Sequence, residues 1–266
     1  MKSPRVIAIS GASSGLGAAL AREYAAPGKT LALAARRIDR LRQLAHECEK
    51  RGASVLCRQV DVRDFRQITR WVEETEQSTP VDLMIANAGV FSGHGPEGQM
   101  ESIPELVRLV ETNLAGAIAT FGAMAEHMRK RRHGHIAIIS SLAAIQPLAD
   151  APVYSATKAG VMAYGEAMRE YLADDNIAVS IVLPGHMKTA QTTVHAGVLA
   201  GIISSGKAAA IIRKRLDRGQ SYIAFPHSMH ILVRLGRLLP WPLRAWTNRP
   251  FRFHVKPALK QDDEYE

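Results

Sequence analysis

The run Ile136-Ala-Ile-Ile-Ser-Ser141, followed by Tyr154-Ser-Ala-Thr-Lys158, is the stretch that decides how this chain folds. The isoleucine-rich first part predicts a buried strand, and the apolar spacing of Val153–Leu172 predicts a helix. Tyr154 and Lys158 then lie one turn apart on the same face of that helix. Because open α/β sheets bind ligands at the carboxyl edge of their strands, we expect Ser141 to meet both residues there.

These three side chains suit acid–base chemistry. A phenol with a pKa near 10 is a poor acid at neutral pH, and a nearby ammonium lowers that pKa. Ser141 could hydrogen-bond a substrate oxygen while Tyr154 gives or takes its proton. For an isolated Tyr-x-x-x-Lys pattern, a half-buried aromatic beside a solvated lysine is the more common explanation. The rest of the chain therefore has to decide between the two.

The first strand, Arg5–Ser10, leads into a glycine-rich turn and the helical run Ala18–Ala26. Strand, turn and helix N-terminus together form an anion site, because backbone N–H groups and the positive helix end face a phosphate. The alternative is a tight turn that needs glycine for backbone reasons alone. The residues expected to contact a dinucleotide are Gly11, Ser13, Ser14, Gly15, Leu16 and Gly17.

The second strand, Thr30–Ala35, ends in Arg36 and Arg37. Dinucleotide folds place a residue here against the adenosine ribose, and an acid at this point accepts the ribose hydroxyls of NAD. Two arginines instead suit a 2′-phosphate, so the sequence favours NADP(H) over NAD(H). The alternative is a pair of solvated charges at the start of a helix.

The alternation of strands and helices continues, with predicted elements at 38–51, 54–60, 65–78 and 81–86. Asp61 follows the third strand and could accept from the adenine amine or cap a turn. We expect Val62 and the small-residue turn Asn87, Ala88 and Gly89 to contact the cofactor too. Asn113 lies inside the long helical pattern Ile103–Arg132, where a weak helix former indicates a polar role.

The second half of the chain adds three predicted elements and a mobile segment. A sixth strand over Ile177–Leu183 ends in Pro184, Gly185 and, four residues on, Thr189, and a helix over 207–218 precedes a seventh strand over 221–225. The small, apolar segment between them, about 190–206, has the composition of a lid. His186 has no assignable role. The predicted substrate walls are Ala143, Ile145, Gln146, Leu148, the loop Phe91–Glu101 and the lid.

The composition is that of an ordinary globular protein, with 47% hydrophobic and 22% charged residues. No apolar run reaches the length of a membrane span, and because Met1–Pro4 leads straight into the first apolar run, we expect no signal peptide. Cys48 and Cys57 match no metal or redox spacing, so we expect no metal site and a reduced, cytoplasmic setting.

The net charge of +9 is concentrated near the C-terminus, where 218–261 contains no acidic residue. The rest of the chain is nearly neutral, which argues against nucleic-acid binding through a broad basic face. Met229–Leu239 has a helical apolar pattern, and Trp241 and Trp246 follow it. This composition is typical of a segment in an anionic membrane interface. A helix that covers the sheet edge or a partner subunit is the alternative.

With these residues assembled, the chain resembles the short-chain dehydrogenase/reductase family over about Val6–Phe225. The matching features are Gly11-x-x-x-Gly15-x-Gly17, Asp61, Asn87-Ala-Gly89, Asn113, Ser141, Tyr154-x-x-x-Lys158 and Pro184-Gly185 with Thr189. The resemblance implies a single α/β domain with a doubly wound, Rossmann-type parallel sheet of about seven strands. We expect this domain to cover residues 1–225, and 226–266 to form a helical and basic C-terminal extension.

The resemblance also implies an activity. Tyr154 would be the proton donor or acceptor, Ser141 would hold the substrate oxygen, and Lys158 would lower the pKa of Tyr154 and bind the nicotinamide ribose. Asn113 would hold a water in the proton relay, and Thr189 would contact the carboxamide. We therefore expect an NADP(H)-dependent oxidoreductase that interconverts a secondary alcohol and a ketone on a lipophilic or acyl substrate, assembled as a homodimer or homotetramer.

Two alternatives remain at this point. One is reduction of a 3-oxoacyl group on acyl carrier protein, with the basic run Arg129–Arg132 docking the acidic carrier. The other is a non-catalytic nucleotide sensor or scaffold on the same fold.

Overall fold

The computed structural model describes residues 3–188, 195–196, 202–249 and 252–255 of the 266-residue chain. A seven-stranded parallel sheet has the order β10-β6-β5-β4-β1-β2-β3. Its strands are β1 (Val6–Ser10), β2 (Thr30–Ala35), β3 (Ser54–Gln59), β4 (Leu83–Ala86), β5 (Gly134–Ile139), β6 (Ile177–Pro184) and β10 (Tyr222–Phe225). This arrangement confirms the predicted α/β, Rossmann-type fold.

Helices cover both faces of the sheet. They are α1 (Gly15–Tyr24), α2 (Ile38–Glu49), α3 (Phe65–Ser78), α4 (Ile103–Val110), α5 (Gly116–Arg131), α6 (Pro152–Tyr171), α7 (Ser205–Leu216), α8 (His227–Leu238) and α9 (Trp241–Asn248). The short strands β7 (Met187–Lys188) and β9 (Ile203–Ser204) pair with each other, and β8 (His195–Ala196) pairs with β11 (His254–Val255).

Alternation along β1 shows how the sequence builds the two core layers. Val6 and Ala8 point to the side covered by α3, α5 and α6, and Ile7 and Ile9 point to the side covered by α1, α2 and α7. All four side chains are buried. A strand buried on both faces reads as one continuous apolar run, which is why β1 was predictable.

The predicted helix Ile103–Arg132 is not continuous. One wider π-helical turn, Glu111–Ala115, separates α4 from α5 and contains Asn113. Such turns insert a residue into the helical ladder and often occur at functional sites. The α5 helix then ends at Arg132, which has a left-handed φ of 50°.

The basic last turn of α5 is paired within the chain. Arg129 donates to Asp175 at 2.8 Å, Arg132 lies 3.8 Å from the same carboxylate, and Arg131 pairs with Glu76. These arginines hold α5 against the segments before β4 and β6. A docking role for this run would have to compete with those pairs.

The C-terminal extension packs against the last strand of the sheet. Helix α8 packs beside β10, where Arg234 lies 5.6 Å from the centre of the Tyr222 ring. Neither α8 nor α9 contains a buried residue. Among the described residues, no helix is both long enough and apolar enough to cross a bilayer.

Candidate active site

A cavity of about 590 Å³ opens at the carboxyl edge of the parallel strands. The predicted site residues on its wall are Gly11, Ser13, Ser14, Gly15, Leu16, Arg36, Arg37, Asp61, Val62, Asn87, Ala88, Gly89, Ser141, Tyr154, Lys158 and Gly185. Gly17, Asn113 and Pro184 do not line it. Thr189 and most of the predicted lid, 190–206, lie outside the described residues. The sheet therefore gathers most of the predicted set around one opening.

The turn between β1 and α1 is shaped to admit a phosphate. Gly11 has a φ of +65°, and a Cβ there would lie 2.7 Å from the Cα of Ala88. A Cβ on Gly17 would overlap the carbonyl oxygen of Gly11, so this glycine closes the turn from behind. Within the described chain, Ser14 does not cap the first turn of α1 with its side chain, which leaves those N–H groups for an anion. The turn thus fits a dinucleotide pyrophosphate.

Two basic side chains at the end of β2 lie next to this turn. Arg36 is exposed at the rim of the cavity, and Arg37 donates to Oγ of Ser14 at 2.9 Å. The carboxylate of Asp61 accepts from Arg63 at 2.6 Å. Partial burial raises the pKa of Asp61, but the hydrogen bonds from Arg63 outweigh this and hold the pKa below its ordinary value. Asp61 is therefore an ionised group on the cavity wall, close to Arg63 and Arg36.

Asn113 fastens the floor of the site from outside the cavity. Its Oδ1 accepts from the backbone N–H of Val90 at 2.7 Å, and its Nδ2 donates to the Val90 carbonyl at 2.8 Å. A Cβ on Gly89 would lie 3.3 Å from Asn113 Oδ1 and 3.4 Å from Lys158 Nζ. The amide thus holds the turn after β4 in place. The water-relay role stays a prediction.

Ser141, Tyr154 and Lys158 converge as the sequence predicts. The hydroxyl of Ser141 lies close enough to the Tyr154 phenol to lower its pKa, and Nζ of Lys158 lies 5.8 Å from the centre of the Tyr154 ring. The neighbouring Ser140 is buried and donates to the Lys158 carbonyl at 2.7 Å, so its hydroxyl serves the backbone. Of the two adjacent serines, Ser141 is the one that faces Tyr154.

Burial acts on both titrating groups of this cluster. It lowers the pKa of Lys158 to about 8, while Nζ donates to the Ile139 carbonyl at 3.0 Å. Burial raises the pKa of Tyr154 above its ordinary value, and the nearby Ser141 hydroxyl offsets only part of this rise. In this arrangement Ser141 is the side chain that favours the phenolate. The effect of Lys158 on the phenol stays a prediction.

The substrate half of the cavity differs in part from expectation. Ala143, Gln146 and Leu148 line it, but Ile145 packs into the core below. The predicted rim loop contributes Phe91, whose ring lies 4.9 Å from the Tyr154 ring in an edge-on contact. His186 also lines the cavity, and burial lowers its pKa and so favours the neutral imidazole.

The C-terminal extension supplies walls that sequence reasoning missed. They are Met229, Leu232, Val233, Leu235, Gly236, Leu239, Thr247, Asn248, Arg252 and Phe253. The apolar spacing of α8 indicated a helix with a covered face, but nothing in the sequence indicated that the face borders this cavity.

One ion pair anchors the end of that wall. Arg252 Nε donates to both carboxylate oxygens of Asp150, at 2.7 and 2.8 Å, and Phe253 N–H donates to the same carboxylate at 3.0 Å. Asp150 is buried just before α6. The Phe253 ring lies 6.2 Å from that of Phe91, which contacts Tyr154. The extension is therefore connected to Tyr154 through the Phe253 and Phe91 rings.

Comparison with known proteins agrees with this geometry. Residues 5–196 match the family described as short chain dehydrogenase. An uncharacterized oxidoreductase of Myxococcus xanthus is 31% identical over 90% of this chain and 94% of its own. An 11-beta-hydroxysteroid dehydrogenase-like protein of Arabidopsis thaliana is 34% identical over 97% of this chain and 85% of its own.

A solved structure shows the same fold with a nucleotide bound. The short-chain dehydrogenase from Sphingobium yanoikuyae in complex with NADPH superposes with a TM-score of 0.77 at 25% identity, covering 93% of this chain and 96% of that one.

Among the described residues of the present chain, no group of three or more His, Cys, Asp or Glu side chains could hold a metal ion.

Proposed function

This chain belongs to the short-chain dehydrogenase/reductase family of oxidoreductases acting on CH–OH groups, and we propose that it interconverts a secondary alcohol and a ketone with NADP(H). The observation that carries the proposal is the cluster of Ser141, Tyr154 and Lys158 on the wall of one cavity. A nucleotide sensor or scaffold has no need of an acid–base pair placed between a phosphate turn and an apolar chamber.

Each residue of the site has a separate role in the proposed reaction. Bound NADP(H) supplies or accepts the hydride. In the reduction direction, the Ser141 hydroxyl holds the substrate oxygen and the Tyr154 hydroxyl donates a proton to it. The Ser141 hydroxyl beside the phenol also favours its ionised form. Lys158 lies beside Gly89, where its ammonium can bind a ribose hydroxyl and help return a proton to Tyr154.

Charge at the adenosine end supports NADP(H) over NAD(H). Arg36 stands exposed at the cavity rim after β2, and Arg37 joins that strand end to the phosphate turn through Ser14. A 2′-phosphate would meet two guanidinium groups there, and each charge-assisted hydrogen bond is about twice as strong as a neutral one. The NADPH bound by the Sphingobium yanoikuyae relative supports the same choice. The cofactor contacts of Thr189, Pro184 and Val62 remain part of this proposal.

The substrate is a lipophilic or acyl ketone. The chamber beyond Tyr154 is surrounded by apolar side chains. They are Phe91 and the leucine, valine, methionine and phenylalanine residues of the extension. The hydroxysteroid dehydrogenase-like relative supports a bulky, apolar alcohol. A 3-oxoacyl group on acyl carrier protein is less well supported, because Arg129, Arg131 and Arg132 are paired within the chain.

The organisation of the chain is part of the proposal. Residues 1–225 form the catalytic domain, and 226–266 form an extension that completes the substrate chamber. Exposed apolar side chains on α4 and at the end of α6, including Ile103, Val107 and Tyr171, support a homodimer or homotetramer through these helices. We place this assembly in the cytoplasm, with the extension as its contact to a membrane.

The proposal is tested with purified protein and ketones of graded chain length. We expect NADPH absorbance to decay with ketone present, with kcat/KM rising as apolar groups are added and the chamber fills. The Tyr154→Phe variant serves as the control for contaminating reductases. A panel in which no ketone, aldehyde or 3-oxoacyl thioester drives NADPH oxidation, despite measurable NADPH binding, would favour the sensor alternative.

A further inference from the structure

The extension presents large apolar side chains that nothing in the described chain covers. Seven of them lie within sixteen positions: Ile231, Leu232, Leu235, Leu238, Trp241, Leu243 and Trp246, with exposed fractions from 46% for Ile231 to 80% for Leu238. We call these seven residues the exposed face. So many exposed large apolar side chains on two successive helices are typical of an interaction surface on a globular protein.

The charges around the exposed face are of one sign. Arg237 on α8 and Arg249, directly after α9, are exposed, and no Asp or Glu occurs anywhere in 218–261. Leucine and tryptophan beside arginine, without acids, is the pattern of helices that lie in the plane of an anionic bilayer surface. A protein partner of ordinary composition would not require the complete absence of acids.

The exposed face is continuous with the cavity. Leu232 and Leu235 are more than half exposed and also line the chamber that contains Tyr154. A molecule that leaves the bilayer between these side chains would reach the chamber without crossing water. This continuity connects a surface feature to the site.

We propose that α8 and α9 lie on an anionic membrane surface and pass a lipid-dissolved ketone or alcohol from the bilayer into the cavity. The occupant of the exposed face is the acyl and headgroup boundary of the bilayer, with tryptophan and leucine buried in it and arginine at the phosphates. Attachment to the membrane stands independently of the catalytic assignment. Delivery of substrate rests on the proposed function.

The attachment is tested by flotation of the full chain with two kinds of vesicle. One contains phosphatidylcholine alone, and the other contains about 30% phosphatidylglycerol. We expect recovery with the anionic vesicles at least about tenfold above the neutral ones, and release at about 1 M salt. Equal recovery on both, or recovery on neither, overturns the proposal.

Substitutions locate the attachment on the exposed face. Replacing Leu238 and Trp241 together by Gln should lower vesicle affinity at least about tenfold, since both side chains leave the apolar layer. Arg237→Gln should lower it about fivefold on anionic vesicles only. The matched controls are Phe65→Gln and Arg70→Gln, exposed residues on α3, and neither should change recovery.

Two further measurements separate the alternatives. Circular dichroism melting curves show whether each variant is folded. Sedimentation without lipid shows whether the exposed face pairs two copies of the chain. A dimer that the Leu238 and Trp241 substitutions dissociate, without any vesicle recovery in the parent protein, would overturn the membrane assignment. If vesicles bind but no ketone is turned over, the proposed function fails and the attachment stands.

Discussion

The turn Gly11–Gly17 and the extension His227–Val255 border the same cavity but are held in different ways. The turn is held by backbone packing so close that a single Cβ on Gly11 would collide with Ala88. The extension has two helices with no buried residue and is anchored beside Tyr154 by Arg252 and Phe253. The cofactor half is therefore tightly packed around a turn that its glycines mark in the sequence. The substrate half depends on a few contacts between distant parts of the chain.

This difference predicts which measured quantity each half controls. Substitutions at the catalytic cluster or the nucleotide turn should change turnover or cofactor affinity. Substitutions in the extension should change substrate affinity and leave cofactor affinity alone. A substitution in the extension that changed cofactor affinity would show that the two halves are coupled more tightly than their contacts indicate.

The largest expected effect is the loss of the Tyr154 proton. Tyr154→Phe keeps the ring against Phe91 and removes the hydroxyl, so kcat should fall by about 10²–10⁴-fold with the Kd for NADPH nearly unchanged. Single-turnover absorbance and fluorescence titration measure the two quantities. Tyr164→Phe, on the same helix and packed edge-on against Phe121, is the matched control and should retain activity. More than about a tenth of the parent kcat in Tyr154→Phe contradicts the mechanism.

Next in size is the cost of burying the Lys158 ammonium. Because burial lowers its pKa from the ordinary 10.5 to about 8, the folded chain binds fewer protons than the unfolded chain between these values. Stability must then rise with pH in that window, and the penalty of up to about 3 kcal/mol is fully present below pH 8. The described residues of the extension, 226–249 and 252–255, include no buried charged side chain.

Urea unfolding of Lys158→Met without cofactor checks this sign. The free energy of unfolding of the variant, relative to the parent chain, should be highest at pH 7 and should fall as the pH approaches 10. Loss of the hydrogen bond to Ile139 lowers the variant's stability by the same amount at every pH in this range. Lys130→Met, at an exposed lysine on α5, should show a difference that does not depend on pH over this range. A pH-independent difference for Lys158→Met would mean that its ammonium is well solvated.

Cofactor selection comes next. Arg36→Ala should weaken NADPH binding about tenfold and leave NADH binding nearly unchanged, since only the 2′-phosphate loses a partner. Isothermal titration with both cofactors measures the ratio. Arg40→Ala, an exposed arginine further along α2, is the matched control. Equal Kd values for NADPH and NADH in the parent chain would overturn the assignment of Arg36.

The cofactor half was largely predictable because its signals are local. β2 and α3 occupy the predicted residues, since an uninterrupted apolar run and an Asp64 cap define their ends. β5 begins at Gly134, two residues before the predicted start. His135 is polar, but it is buried in the strand through a hydrogen bond with Ser180, a partner 45 residues away. A single-sequence pattern has no access to such a pair.

Two features of the site were hidden for the same kind of reason. The π-helical turn at Asn113 adds one residue to a ladder whose apolar period it barely disturbs, so the sequence predicted one helix. The mid-helix asparagine was the available signal. The extension was recognisable by composition, but its place on the cavity wall depends on Asp150 and Arg252, which are 102 residues apart. Charge pattern predicts a surface and cannot predict which loop it meets.

The smallest expected effect tests whether that contact shapes the substrate chamber. In Arg252→Ala the buried Asp150 keeps the backbone N–H of Phe253 but loses a bidentate partner that is itself 60% exposed, so the loss should be near 1 kcal/mol. Phe253 would then be held less firmly near Phe91, and KM for a bulky ketone should rise about fivefold. The kcat and the Kd for NADPH should stay within about twofold, because no cofactor-contacting group moves.

Steady-state kinetics with one bulky and one small ketone make the measurement, and KM for the small ketone should not change. Arg249→Ala removes a charge from the same segment without touching Asp150 and should leave every constant unchanged for soluble ketones. If Arg252→Ala instead lowered kcat for both ketones equally, the extension would act on the position of Tyr154 through Phe91, and the division between the two halves would have to be redrawn.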